Sequence, residues 1–162
     1  MSQTSSIASL NRSLQDAEVW LRELSALSPF ESREAAYALF RAVIHSVRDR
    51  LEMHEAVHFA GQMPTLVRGI YYEGWRPSLA PNRERSLPEF LASVRESLGP
   101  GLPADAVNVE DATRAVFTFL ETKFDEGQIR HVREQMPSEV QALWPSGTEA
   151  RERKGTRAKE RV

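Results

Sequence analysis

Residues 54–58 read HEAVH, two histidines one helical turn apart with a glutamate between them. On a helix that spacing sets both imidazoles on one side, where they can hold zinc while the glutamate activates a bound water. Gly61 extends the match to HExxHxxG. A catalytic zinc needs a third protein ligand and an open fourth position. The extended pattern puts that ligand at position 64, which is Pro64 and has no side-chain donor. Glu73 and Glu84 could substitute, but neither spacing singles one out. A zinc-dependent hydrolase using His54, Glu55 and His58 is therefore kept as an alternative to a plainer reading, in which the three are polar positions of an amphipathic helix.

A second cluster lies in GQMPTLVRGIYYEGW, residues 61–75. Leu66, Val67, Ile70 and Tyr71 share one side of a helix, so Tyr71 is expected in the core. If Gly74 ends that helix in the left-handed conformation, Trp75 folds back towards Ile70 and is structural as well. Tyr72 falls off this stripe, one turn beyond Arg68. Tyrosine and arginine are frequent anchors of protein interfaces. Arg68 and Tyr72 are accordingly the candidate interaction residues, and their substitution is expected to leave the fold intact.

Other chemistries find no carrier. There is no cysteine, so thiolate catalysis, disulfides and cysteine-ligated metals are excluded. No glycine-rich phosphate loop, dinucleotide fingerprint or G-x-S-x-G elbow is present. No cofactor is expected. Residues 146–162 carry six Lys or Arg against three Glu. Those glutamates dilute the charge and no aromatic residue interleaves for base stacking, so a solvated basic tail is expected rather than a nucleic-acid contact.

The elements that must position these residues are helical. Leu14, Ala17, Leu21 and Leu24 predict a helix near 13–27, after a loose arm at 1–12. Ser28 and Glu31 bracket Pro29 as a capping box for the next, whose stripe is Ala36, Leu39, Phe40, Val43, Val47 and Leu51. Shorter helices near 53–62 and 64–73 meet at Pro64. The proline-rich stretch 76–86 is a connector. Ser86 and Glu89 then suggest a second capping box for a helix running to Gly99, and helices near 108–123, 126–135 and 137–144 follow. No alternating run reads as a strand.

The chain echoes itself. With a constant offset, RAVIHSVRDRLEMHEAVHFAGQMPTLVRGIY at 41–71 faces RAVFTFLETKFDEGQIRHVREQMPSEVQALW at 114–144. RAV and QMP coincide, His58 meets His131, and Tyr71 meets Trp144, a further expected core aromatic. Positions 54 and 55 meet Gly127 and Gln128, so the second copy lends no support to a metal site. The expected architecture is all-α: a duplicated helical repeat, two four-helix halves (13–75 and 87–145) in one compact domain.

RAVIHSVRDRL, the QMP followed by LVRGIYYEGW, the mid-chain EFL and the closing EQMPSEVQALWP together resemble the bacterial DUF2267 family over roughly residues 15–145. That resemblance implies a small helical cytoplasmic protein built from duplicated units. It implies no activity and supplies no catalytic residues.

Composition agrees with a globular chain: 41% hydrophobic and 27% charged residues, with no apolar run of membrane-spanning length. The start, MSQTSSIASL, lacks the blocks of a secretory signal, and a cytoplasmic location is expected. The leading expectation is a non-enzymatic interaction or stress-linked accessory module, with an unidentified protein partner and room for self-association. A small-molecule sensor binding between the two halves is the other alternative.

Overall fold

The computed structural model describes residues 7–27, 29–99, 102 and 107–147. Among these are eight α-helices and no strand. They are α1 (Ala8–Ser25), α2 (Arg33–Arg50), α3 (Met53–Ala60), α4 (Thr65–Tyr72), α5 (Leu87–Ser97), α6 (Val109–Lys123), α7 (Glu126–Glu134) and α8 (Ser138–Gln141). A single 3-10 turn, Pro77–Leu79, interrupts the connector. No described helix is long and apolar enough to cross a membrane.

Helix α2 is the axle. Its stripe of Ala36, Leu39, Phe40, Val43, Val47 and Leu51 is buried as the periodicity predicts, but burial does not stop at the stripe. Residues 42–48 are buried without a break, because α1, α4, α5 and α6 all pack around this helix. Helix α6 lies against α1, α2, α5 and α7, and α3 packs on α7. Aromatic rings fill the junctions. Trp20 sits edge-on to Phe119 at 5.4 Å between centroids, Phe59 contacts Phe124 at 4.7 Å, and Trp144 stacks on Phe117 at 4.0 Å. Such ring pairs each add about 0.5–1.5 kcal/mol beyond their buried area.

Helix ends follow local chemistry. Ser86 Oγ accepts from Glu89 N at 3.2 Å, as the capping box requires, while the Glu89 carboxylate accepts from the Ser86 hydroxyl rather than from its backbone N–H. Asn108 caps α6 by accepting from Asp111 N. Gly74 adopts φ +68, the left-handed stop expected of it.

Three expectations are corrected. Helix α1 begins at Ala8, so residues 8–12 are helical rather than part of a loose arm; no proline or glycine lies between Ala8 and Ser25 to stop it. Ser32 caps α2 by accepting from Ala35 N at 3.1 Å. Phe30 packs against the core ahead of the helix, so the start moves past Pro29; Ser28 lies outside the described residues. Leu14, expected in the α1 stripe, is exposed. Residues 1–6 and 148–162, which include most of the expected tail, also lie outside them.

Candidate functional site

Helix α3 separates its motif into two faces. Met53, His54, Val57 and His58 are exposed, whereas Glu55, Ala56, Phe59 and Ala60 are buried. The two imidazoles stand parallel, 4° apart in plane and 6.4 Å between centroids. Glu55 turns away from them into the contact with α7, where its Oε1 accepts from Gln128 Nε2 at 2.9 Å. The glutamate that would activate water in a hydrolase is thus bonded on the opposite side of the helix. Glu73 pairs with Arg41 and Glu84 with Arg50. Among the described residues no group of three His, Asp or Glu is placed to hold one metal ion.

Arg68 is half-buried and built into the backbone. Its Nε donates to Ala60 O at 3.0 Å, and Nη2 donates to Gly61 O and Met63 O at 3.2 and 3.1 Å. The guanidinium closes the QMP turn that joins α3 to α4, a task that sequence periodicity did not reveal. Gln141 does the same after α7, donating from Nε2 to Glu134 O and Met136 O. Substitution of Arg68 therefore bears on the fold, contrary to the expectation above.

The aromatics sort as follows. Tyr71 is fully buried, and its hydroxyl donates to Ala56 O at 2.7 Å. Burial pushes that hydroxyl far above the usual tyrosine range. Tyr72 is half-buried between Tyr71 and Trp75, with centroids at 5.2 and 5.5 Å. Trp75 meets Tyr72 in this stack and packs on the core. Trp144 is enclosed on Phe117.

Two arginines of α2 were also missed as structural keys. Arg48 donates from Nη1 to Tyr71 O and Glu73 O, both at 2.7 Å, and so satisfies the end of α4. Arg50 donates to Ser46 O, pairs with Glu84 of the connector and lies 4.9 Å over the Phe90 ring. His45, on the same helix, donates from Nε2 to Ile70 O at 2.7 Å. Burial lowers its pKa, partly opposed by that carbonyl and reinforced by the charges of Arg48 and Arg41.

Part of what remains open on the surface is apolar. Leu10 is 65% exposed and Leu14 50%, and with Ile7 they recur at spacings of three and four along α1. Ser13 Oγ accepts from Leu66 N at 2.9 Å, which brings the start of α4, with Leu66 40% exposed, beside the same stretch. The spacing of Ile7, Leu10 and Leu14 was visible in the sequence; that no described residue covers it was not. Nearby, a narrow apolar crevice between α1, α2 and α4 has Phe119 among its walls and a cavity volume of about 20 Å³.

Comparison with curated proteins found no match. The family model described as "Uncharacterized conserved protein (DUF2267)" matches residues 17–143. That span takes in all eight helices apart from the first turns of α1, including both QMP turns with their Arg68 and Gln141 clasps, and the chain belongs to the DUF2267 family.

Proposed function

We propose that this chain is a non-enzymatic helical interaction module that docks another protein along the strip formed by Ile7, Leu10, Leu14 and Leu66. The observation that carries the reading is that this strip lies at helical spacing and stays open to solvent, while the stripe of α2 closes into the core. Exposed apolar patches on an otherwise closed domain mark interaction surfaces. Tyr72, half-exposed beside Trp75, is a second contact in the proposal, and Arg68 serves it by holding the adjoining turn. The proposal places the module in a bacterial cytoplasm.

The proposed scaffold is a duplicated unit of two four-helix halves. Its support is geometric as well as sequential. Pro64 and Pro137 precede α4 and α8 with matching backbone angles, φ −53 in both and ψ 148 and 145. Arg68 and Gln141 capture corresponding carbonyls, and Tyr71 and Trp144 occupy corresponding core positions.

The sensor alternative has less to stand on, since the cavity in that apolar crevice is about 20 Å³, far below the ~300–1,000 Å³ range of ligand pockets. The hydrolase alternative has its glutamate bonded to Gln128.

The test is affinity purification from the host at native expression, with quantitative mass spectrometry, comparing wild type with Leu10→Glu/Leu14→Glu and with Tyr72→Ala. A near-stoichiometric partner lost from the leucine variant is the expected result. A partner retained by that variant, or none with any protein, would overturn the assignment.

A further inference from the structure

We propose that His54 and His58 are half of a zinc-type metal site whose other half is the same pair on a second copy of this chain, so that one ion joins two copies through α3. Three observations meet on this face. The first is geometry. His54 and His58 are exposed one turn apart with parallel rings 6.4 Å between centroids. Tetrahedral coordination with Zn–N near 2.0–2.1 Å brings such centroids to about 5 Å, a closure of roughly 1 Å that rotation of two solvent-facing rings supplies.

The second is coordination number. Two imidazoles leave a zinc ion two protein ligands short of a closed tetrahedral site. The described residues do not supply them: they bring no third ligand to the pair, and Glu55 is bonded to Gln128 on the far side of the helix. A second copy necessarily carries a matching pair at the same spacing. Two pairs give the four-nitrogen set that a tetrahedral ion takes.

The third is the surface around the pair. Met53 and Val57, 55% and 49% exposed, stand one turn apart beside the histidines. A two-fold axis through the ion would place these residues of one copy against those of the other, an isologous contact that covers apolar surface at the same moment as the metal binds. This face of α3 is separate from the α1 strip, so either assignment can fail without the other.

The experiment is sedimentation velocity on the untagged full-length chain, first in chelator and then with zinc titrated to one ion per two chains. The expected result is a monomer in chelator and a dimer saturating at that stoichiometry. His54→Ala/His58→Ala should stay monomeric with zinc, and His131→Ala should dimerise like wild type. Circular dichroism establishes that each variant is folded. As a second variant, Val57→Asp keeps both imidazoles and should weaken the zinc-dependent dimer at least tenfold. Zinc bound one per chain without dimerisation, a dimer that persists in chelator, or a zinc-dependent dimer in the double variant would overturn the proposal.

Discussion

Glu55 and Gln128 stand 73 positions apart and hydrogen-bond to each other in the buried contact between α3 and α7. The two positions face each other when residues 41–71 are aligned with residues 114–144. A polar pair at such a place fixes how α3 meets α7, because a slip would leave a carboxylate and an amide desolvated without partners.

Removing one partner should therefore cost more than removing both. Gln128→Ala is expected to lower stability by about 1–3 kcal/mol, by leaving the Glu55 carboxylate without its donor. Glu55→Leu/Gln128→Leu should recover much of that loss. Urea unfolding of Glu55→Leu, Gln128→Leu and the double variant measures the coupling; strictly additive effects would refute the pairing.

Arg68→Ala should destabilise by about 1–3 kcal/mol, since it frees three backbone carbonyls of the QMP turn. Arg68→Lys should restore only part, because a single ammonium does not reproduce the fork. Gln141→Ala removes the two-bond counterpart and should cost less. Thermal melts of the three variants rank them, and an Arg68→Ala melt equal to wild type would show the clasp to be idle.

His45 gives stability a pH dependence whose sign is fixed. Its folded pKa lies below the ordinary value of 6.5, burial being the main cause. Above about pH 6.5 the imidazole is neutral in both states and its contribution is complete. As pH falls below that value the unfolded chain takes up the proton first, and stability drops until the folded pKa is reached. Denaturant midpoints at pH 7.5 and 5.5 should differ for wild type and differ less for His45→Gln. An unchanged difference would assign the pH dependence to other groups.

Arg50 and Glu84 tie the connector to the central helix. Arg50→Ala should cost about 2–4 kcal/mol through lost packing on Phe90 as well as lost pairing. Glu84→Ala, which removes only the half-exposed partner, should cost about 1–2 kcal/mol. Limited proteolysis reads the same contact: the Glu84 variant should be cut faster between residues 76 and 86, and equal rates would argue that other contacts anchor this stretch.

The helices, the stop at Gly74 and the burial of Tyr71 and Trp144 were legible in the sequence because each follows from local periodicity or a single backbone preference. The polar keys were not. Arg48 and Arg50 occupy slots that an amphipathic pattern assigns to solvent, yet α2 has no solvent side over residues 42–48. What satisfies them is the carbonyl ends of α4 and a glutamate of the connector, partners that only the tertiary arrangement brings within reach. HEAVH was legible only in part, for a related reason. Spacing alone puts His54 and His58 together, but the direction of Glu55 is decided by Gln128, far along the chain.

The enclosure of α2 by helices from both sides of the connector also bears on how this gene could divide. A break near Pro81 would leave α2 in one polypeptide and α5 and α6, two of its walls, in the other. Neither product could close its core alone, and the descendants would persist only as an obligate heterodimer, each gene dependent on the continued expression of its sister.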